Sequence, residues 1–128
     1  MQRYFRSLGH ALEGLWHAFT TERNLKLFVV FYVLSLLISV LLQINARDWG
    51  MVVFSGSIFL TVELVNTALE RFTDAFDTHA KNQNDHHTAA IKATKDIASS
   101  ASLVCAAGWI VILGMIYFPH IVLWWMGG

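Results

Sequence analysis

Acidic and amide side chains interrupt an otherwise apolar run in the segment ELVNTALE, residues 63–70. Glu63, Asn66 and Glu70 are spaced i, i+3 and i+7, so they share one face of an α-helix. An ionisable side chain deep in a bilayer costs at least about 2.5–3.5 kcal/mol on insertion scales, and such residues are rare without a function. The spacing therefore indicates a polar site on one helix face, although Glu70 taken alone also fits a solvated helix end.

A second polar stripe lies near the start of the last apolar run. Lys92, Lys95, Asp96 and Ser99 occur at i, i+3, i+4 and i+7, again one helix face. Taken alone, the two lysines fit a solvated helix end equally well. Carboxylates suit Mg²⁺ and ammonium groups suit phosphate, so the two stripes together contain the parts that phosphoryl transfer requires. The sequence has no Walker loop and no kinase glycine loop, so a nucleotide site here needs another design.

The elements that position both stripes are expected to lie in lipid. The 128-residue chain is 55 % hydrophobic and 14 % charged, with a mean hydropathy of +0.50, whereas soluble domains have about 25 % charged residues. Three apolar runs, 27–44, 49–69 and 97–118, are long enough to cross a bilayer. We therefore predict a single all-α integral membrane domain over residues 1–128. The net charge of zero gives no global field for nucleic acid.

The distribution of lysine and arginine predicts the orientation. Basic residues precede the first span and lie between the second and third, whereas Arg47 alone lies between the first and second. The positive-inside rule then places the N terminus and the segment 71–95 in the cytoplasm and the C terminus outside. Both polar stripes are therefore expected on the cytoplasmic side.

Residues 1–24 form a different kind of segment. Apolar side chains recur there at spacings of three and four from Tyr4 to Phe19, and most charged side chains and histidines fall on the opposite side. A helix of this type lies in the membrane interface with its apolar face down. The prediction is thus an interfacial amphipathic helix over 1–24 followed by three transmembrane helices.

The ELVNTALE motif, followed by KATKD at 92–96, resembles the bacterial diacylglycerol kinase and undecaprenol kinase family. The central motif of that family, E-L-x-N-[ST]-A-[IL]-E, is met at every position, and in its second motif, K-x-A-K-D, Thr94 replaces the usual alanine. The N-terminal pattern that ends in ERN at 22–24 fits as well, so the resemblance covers nearly the whole chain. The family consists of small lipid kinases of the bacterial inner (plasma) membrane, with three spans and a surface helix.

The resemblance implies a function and a role for each matching residue. The γ-phosphate of MgATP would pass to the hydroxyl of a membrane lipid alcohol, with Glu63 as the general base and with Glu22 and Glu70 as ligands of Mg²⁺. The nucleotide contacts would be Arg3, Asn66, Lys92, Lys95 and Asp96, and the lipid contacts would be Ser99 and Phe28. The family is homotrimeric, with active sites built between neighbouring subunits, so the expected partners are ATP, the lipid alcohol, the bilayer and two further copies of the chain.

The sequence leaves two lipid alcohols possible as the phosphate acceptor. The ERN motif and the K-x-x-K-D spacing favour undecaprenol, which would give undecaprenyl phosphate, and the alternative is diacylglycerol, which would give phosphatidic acid. Phe28 stands where many members carry a polar residue, and an apolar surface there suits an acceptor without ester carbonyls. Ser99, Ser100 and Ser102 argue the other way, because their hydroxyls could donate to such carbonyls.

A more distant alternative is a non-enzymatic small membrane protein in which Glu63 relays protons. Glu22, Lys95 and Asp96 favour the kinase over this alternative, because a proton path needs no phosphate-binding cluster at one surface.

Overall fold

A computed structural model describes the backbone of residues 2–82 and 88–127 and the side chains of residues 3–78 and 89–127. Those residues form four helices: α1 (Gln2–Thr21), α2 (Arg23–Leu41), α3 (Ala46–Asn82) and α4 (Thr88–Trp125). The described residues are helical, and α2, α3 and α4 are each long and apolar enough to cross a membrane, so the prediction of helices with three candidate spans is confirmed. Residues 83–87, in the middle of the predicted cytoplasmic segment, lie outside the described residues.

The helices extend beyond the apolar runs that predicted them. α3 continues past residue 69 into the polar segment and ends at Asn82, and α4 begins at Thr88, before the run 97–118. Backbone hydrogen bonds continue a helix in water as well as in lipid, so hydropathy marks only the part suited to the bilayer. Pro119 lies inside α4, which continues to Trp125, because one missing N–H removes a single bond from the ladder.

The turn between α2 and α3 is closed by Asn45. Its Oδ1 accepts hydrogen bonds from the backbone N–H groups of Arg47 (3.0 Å) and Asp48 (3.1 Å), and its Nδ2 donates to the Asp48 carboxylate (2.8 Å). These bonds satisfy donors that the first turn of a helix leaves free, so they fix the start of α3. Gln43, with φ of 50°, reverses the chain after α2 in the left-handed region.

An aromatic cluster joins the three long helices. Phe59 of α3 stacks on Trp109 of α4 at 5.2 Å between ring centroids, and Phe28 of α2 meets Phe59 edge-on at 4.8 Å. Tyr32 of α2 packs edge-on against Trp109 and lies directly over Gly56, where an added Cβ would come within 2.3 Å of the tyrosine ring. The missing side chain at Gly56 therefore lets α2 approach α3 closely.

A second cluster of buried residues lies at the end of the helix bundle opposite Glu63. Ile44, Val52, Ile116 and Tyr117 are buried together there. The Tyr117 hydroxyl donates to the carbonyl of Ser35 (2.6 Å) and lies 2.9 Å from Ser39 Oγ. Hydrogen bonds between helices in lipid each contribute about 0.6 to 2 kcal/mol, so these bonds join α2 to α4 at this end.

α1 makes little contact with the other helices. Its apolar residues are exposed, for example Tyr4 (82 %) and Trp16 (69 %). The inner part of its apolar face, including Leu15 and Phe19, lines an apolar cavity of about 540 Å³ shared with α2 and α3. The location of α1 in a membrane interface stays a prediction.

Candidate active site

Glu63 is buried between α3 and α4, with only 3 % of its surface exposed. Its Oε2 accepts a hydrogen bond from the hydroxyl of Ser102, which is itself buried on α4, and the Asn66 side chain also interacts with the carboxyl group. Phe59 lies one helical turn away on the same face of α3, so the aromatic cluster lies next to Glu63 along the helix. A buried carboxyl group is thus held at a fixed position by a neutral donor rather than by a cation.

A polar pocket of about 290 Å³ surrounds this carboxyl group. It is lined by Asn24, Phe28, Glu63, Asn66, Glu70, Ser99, Ser102, Leu103 and Ala106. The pocket therefore brings together five residues that the sequence predicted for one site: the expected base, one expected metal ligand, one nucleotide contact and both lipid contacts. The roles of these residues stay predictions.

Glu22 lies at the junction of α1 and α2, close enough to Glu63 for their charges to interact. Its Oε1 accepts hydrogen bonds from Arg71 Nε (2.9 Å) and Nη2 (2.7 Å), and the same guanidinium group contacts the Thr21 hydroxyl. Glu22 is thereby tied to α3 immediately after Glu70. The two expected metal ligands thus lie at the same end of the bundle, Glu22 immediately before α2 and Glu70 in α3.

Lys95 connects the second polar stripe to α3. Its Nζ donates to Asp74 Oδ1 at 2.7 Å and lies 4.0 Å from Glu70 Oε1. Asp74 follows Glu70 by one helical turn and so extends the Glu63 stripe. A cation suited to phosphate therefore lies beside an expected metal ligand, which is the arrangement that the two stripes predicted.

Three predicted nucleotide contacts lie apart from the polar pocket. Arg3, Lys92 and Asp96 are exposed, and none of them lines the pocket. Glu22 and Lys95 do not line the pocket either, and the role of Arg3, Lys92 and Asp96 as nucleotide contacts stays a prediction.

The carboxylate and amide oxygen atoms at this site are ligands of the type that Mg²⁺ prefers. The described residues contain no group of three or more His, Cys, Asp and Glu side chains that could hold a metal ion. Mg²⁺ in nucleotide sites needs only one or two carboxylates, because phosphates and waters supply the other ligands. Glu70 is 48 % exposed, and Asn66 Oδ1 is buried with no hydrogen-bond partner in the described part of the chain. These residues fit a magnesium ion held jointly with phosphates rather than in a protein cage.

The predicted site omitted several residues that the structure places at it, among them Ser102, Asp74 and Arg71. Ser102 and Asp74 carried a signal in the sequence, since each continues its polar stripe by one further helical turn, Ser102 after Ser99 and Asp74 after Glu70. Arg71 had no such signal, because its partner Glu22 lies 49 residues away in the chain.

The chain resembles known proteins along most of its length. The family described as prokaryotic diacylglycerol kinase matches residues 9–117. The undecaprenol kinase of Bacillus subtilis (strain 168) is 31 % identical over 123 residues, which cover 94 % of this chain and 93 % of that protein. A diacylglycerol kinase of Helicobacter pylori (strain J99) is 27 % identical over 113 residues, which cover 88 % of this chain and 83 % of that protein. This chain therefore belongs to the prokaryotic diacylglycerol kinase family.

Proposed function

We propose that the protein is an ATP-dependent lipid kinase that transfers the γ-phosphate of MgATP to the hydroxyl of a membrane lipid alcohol. Membership of the family supports the kinase activity. The observation that carries the proposal is the position of Glu63, a buried carboxyl group at the wall of a polar pocket that adjoins an apolar groove. A base at such a boundary can reach a hydroxyl whose hydrocarbon chain stays in the membrane.

In the proposed reaction, the Glu63 stripe removes the proton from the acceptor and the Lys95 stripe binds the phosphates. Glu63 takes the proton from the lipid hydroxyl while the oxygen forms its bond to the γ-phosphorus and the bond to the ADP oxygen breaks. Ser102 holds the Glu63 carboxyl in place for this step. Lys95 leaves Asp74 to bind the phosphates. Glu22 and Glu70 would hold Mg²⁺, which would supply positive charge that stabilises the transferring group.

An apolar groove of about 380 Å³ between α2 and α4 supports a lipid acceptor. Phe28 and Ala106 line both this groove and the polar pocket, so the two adjoin each other. Phe31 and Ile110 border the groove and are 54 % and 64 % exposed, so it opens on the side of the helix bundle. A hydrocarbon chain in the groove would bring its terminal hydroxyl to Glu63.

We favour undecaprenol as the acceptor, with diacylglycerol as the alternative. Phe28 presents an apolar ring to the pocket and packs edge-on against Phe59. The Ser102 hydroxyl already donates to Glu63, and the Ser100 hydroxyl donates to the carbonyl of Asp96 in its own helix, so neither is free to serve an ester carbonyl. Undecaprenol has no ester carbonyl that would need a donor.

The test compares the two acceptors in the same mixed micelles with MgATP. We expect phosphorylation of both lipid alcohols to depend on Glu63 and the rate with undecaprenol to be the higher. A clear preference for diacylglycerol would overturn the choice of acceptor and leave the kinase assignment intact. If neither lipid were phosphorylated by the parent protein, the kinase assignment itself would be wrong.

We also propose that the site faces the cytoplasm of a bacterial inner membrane and that the active form is a homotrimer. Arg71 and Lys95 lie at the same end of the bundle as Glu22 and Glu70, which supports the orientation under the positive-inside rule. Reporter fusions after Gly128 should report an external C terminus, and cytoplasmic reporter activity there would reverse the orientation.

Ala101 and Gly108 leave exposed small positions on α4 that permit close helix contact. Light scattering of the protein in detergent should give three chains per particle, and a monomer would contradict the trimer.

A further inference from the structure

The side chain of Glu22 is not fixed by its own helix. Glu22 occupies the N-cap position of α2 with an extended backbone (φ −95°, ψ 120°), and it makes no side-chain capping bond. An N-cap side chain normally accepts a hydrogen bond from the first turn of its helix, which determines where it points. The direction of the Glu22 carboxyl group therefore depends on contacts from elsewhere in the chain.

Arg71 supplies these contacts. Its Nε and Nη2 converge on Glu22 Oε1 at 2.9 and 2.7 Å, and Nη2 also contacts the hydroxyl of Thr21. The two charged side chains are 38 % and 32 % exposed, so solvent screens the pair only in part. A guanidinium group presents its N–H donors in a rigid plane, so bonds from two of them restrict the carboxylate more than a single ammonium would.

The contact joins two parts of the proposed magnesium–nucleotide site. Arg71 follows Glu70 directly in α3, whereas Glu22 lies between α1 and α2. Neither bond from Arg71 uses Oε2 of Glu22, so that oxygen can bind a cation while Oε1 stays held. We propose that Arg71 is a positioning residue, which acts through Glu22 to keep a carboxylate oxygen available for Mg²⁺. This inference rests on the proposed function of the same site.

Positioning and charge competition predict opposite results when Arg71 is replaced. If Arg71 only competed with a cation for Glu22, its loss would strengthen metal binding. If it orients the carboxylate, its loss weakens binding, as is typical of groups that hydrogen-bond a metal ligand and change affinity by about 10- to 100-fold. Metal affinity therefore separates the two possibilities, whereas overall activity alone does not.

The experiment uses the full chain in detergent micelles. Binding of Mn²⁺, a paramagnetic stand-in for Mg²⁺, is titrated by electron paramagnetic resonance with a non-hydrolysable ATP analogue present. Arg71→Gln should weaken Mn²⁺ binding about 10-fold and raise the Mg²⁺ concentration for half-maximal phosphorylation by a similar factor, with the KM for the lipid acceptor unchanged. Arg71→Lys, which keeps the charge without the planar fork, should fall between the parent and Arg71→Gln. Arg23→Gln is the matched control, since it removes an exposed charge adjacent to Glu22 and should leave both values within twofold.

The same substitution of Arg71 in the Glu22→Gln variant tests whether Arg71 acts through Glu22. In Glu22→Gln, the further change Arg71→Gln should have no additional effect on Mn²⁺ binding. Unchanged or tighter Mn²⁺ binding by Arg71→Gln in the parent background, or an equal loss in both backgrounds, would overturn the proposal. Failure of the parent protein to phosphorylate either lipid would instead refute the proposed function, since the Mn²⁺ titration does not depend on lipid. If Arg71→Gln does not fold, the comparison of Arg71→Lys with Arg23→Gln decides the result.

Discussion

Replacing Ser102 with alanine tests the geometry of the buried carboxyl group. The Ser102 hydroxyl donates to Glu63 Oε2, and the two residues are 6 % and 3 % exposed, so water cannot readily take the place of the lost donor. Hydrogen bonds to charged groups contribute about 1.5–3 kcal/mol. If the bond holds Glu63 in position for proton transfer, Ser102→Ala should lower kcat by about 10- to 150-fold, since about 1.4 kcal/mol corresponds to a factor of ten.

The assay is phosphorylation of a lipid alcohol at saturating MgATP, combined with unfolding of the protein in mixed micelles by sodium dodecyl sulfate. Ser100→Ala is the control, because the Ser100 hydroxyl is exposed and bonds only within its own helix in the described residues. In a double-mutant cycle on the unfolding free energy, Ser102→Ala and Glu63→Gln should be coupled rather than additive. If Ser102→Ala kept kcat within threefold of the parent and showed no coupling, the reasoning about Glu63 would be refuted.

Four further substitutions test other parts of the structure. Glu63→Gln should abolish phosphate transfer but preserve binding of an ATP analogue in an equilibrium titration, since a base acts on the acceptor; turnover within tenfold of the parent would exclude that role. Glu22→Gln and Glu70→Gln should each raise the Mg²⁺ concentration for half-maximal activity, and an unchanged requirement in both would exclude them as ligands. Gly56→Ala should destabilise the fold by about 1–3 kcal/mol, because the new Cβ would lie within 2.3 Å of the Tyr32 ring; thermal unfolding at the parent temperature would contradict this.

The three spans and the Glu63 stripe could be predicted because each depends on local sequence. Hydropathy determines which segments enter lipid, and the spacing of Glu63, Asn66 and Glu70 follows from the helical repeat alone. The same repeat predicted that Lys95 and Ser99 share a face, and the structure places both near α3. Local periodicity is therefore enough to identify which residues can share a site on one helix.

The pairing between helices could not be predicted in the same way. The contact of Arg71 with Glu22 depends on the angle at which the chain leaves α1, which hydropathy does not encode. The position of Ser102 opposite Glu63 depends on the rotation of α4 about its own axis, which the stacking of Phe59 on Trp109 helps to fix. The ends of the helices could not be predicted from hydropathy either, because α3 and α4 continue past the apolar runs.

The groove between α2 and α4 opens on the side of the helix bundle rather than at its end, as the exposed Phe31 and Ile110 indicate. In a bilayer that side faces hydrocarbon, so a molecule that enters the groove arrives by lateral diffusion within one leaflet. The encounter is then two-dimensional, and occupancy depends on the number of acceptor molecules per unit of membrane area rather than per volume of solution. Adding inert lipid dilutes the acceptor even when the assay volume is constant. A Michaelis constant for such a site is accordingly a surface density.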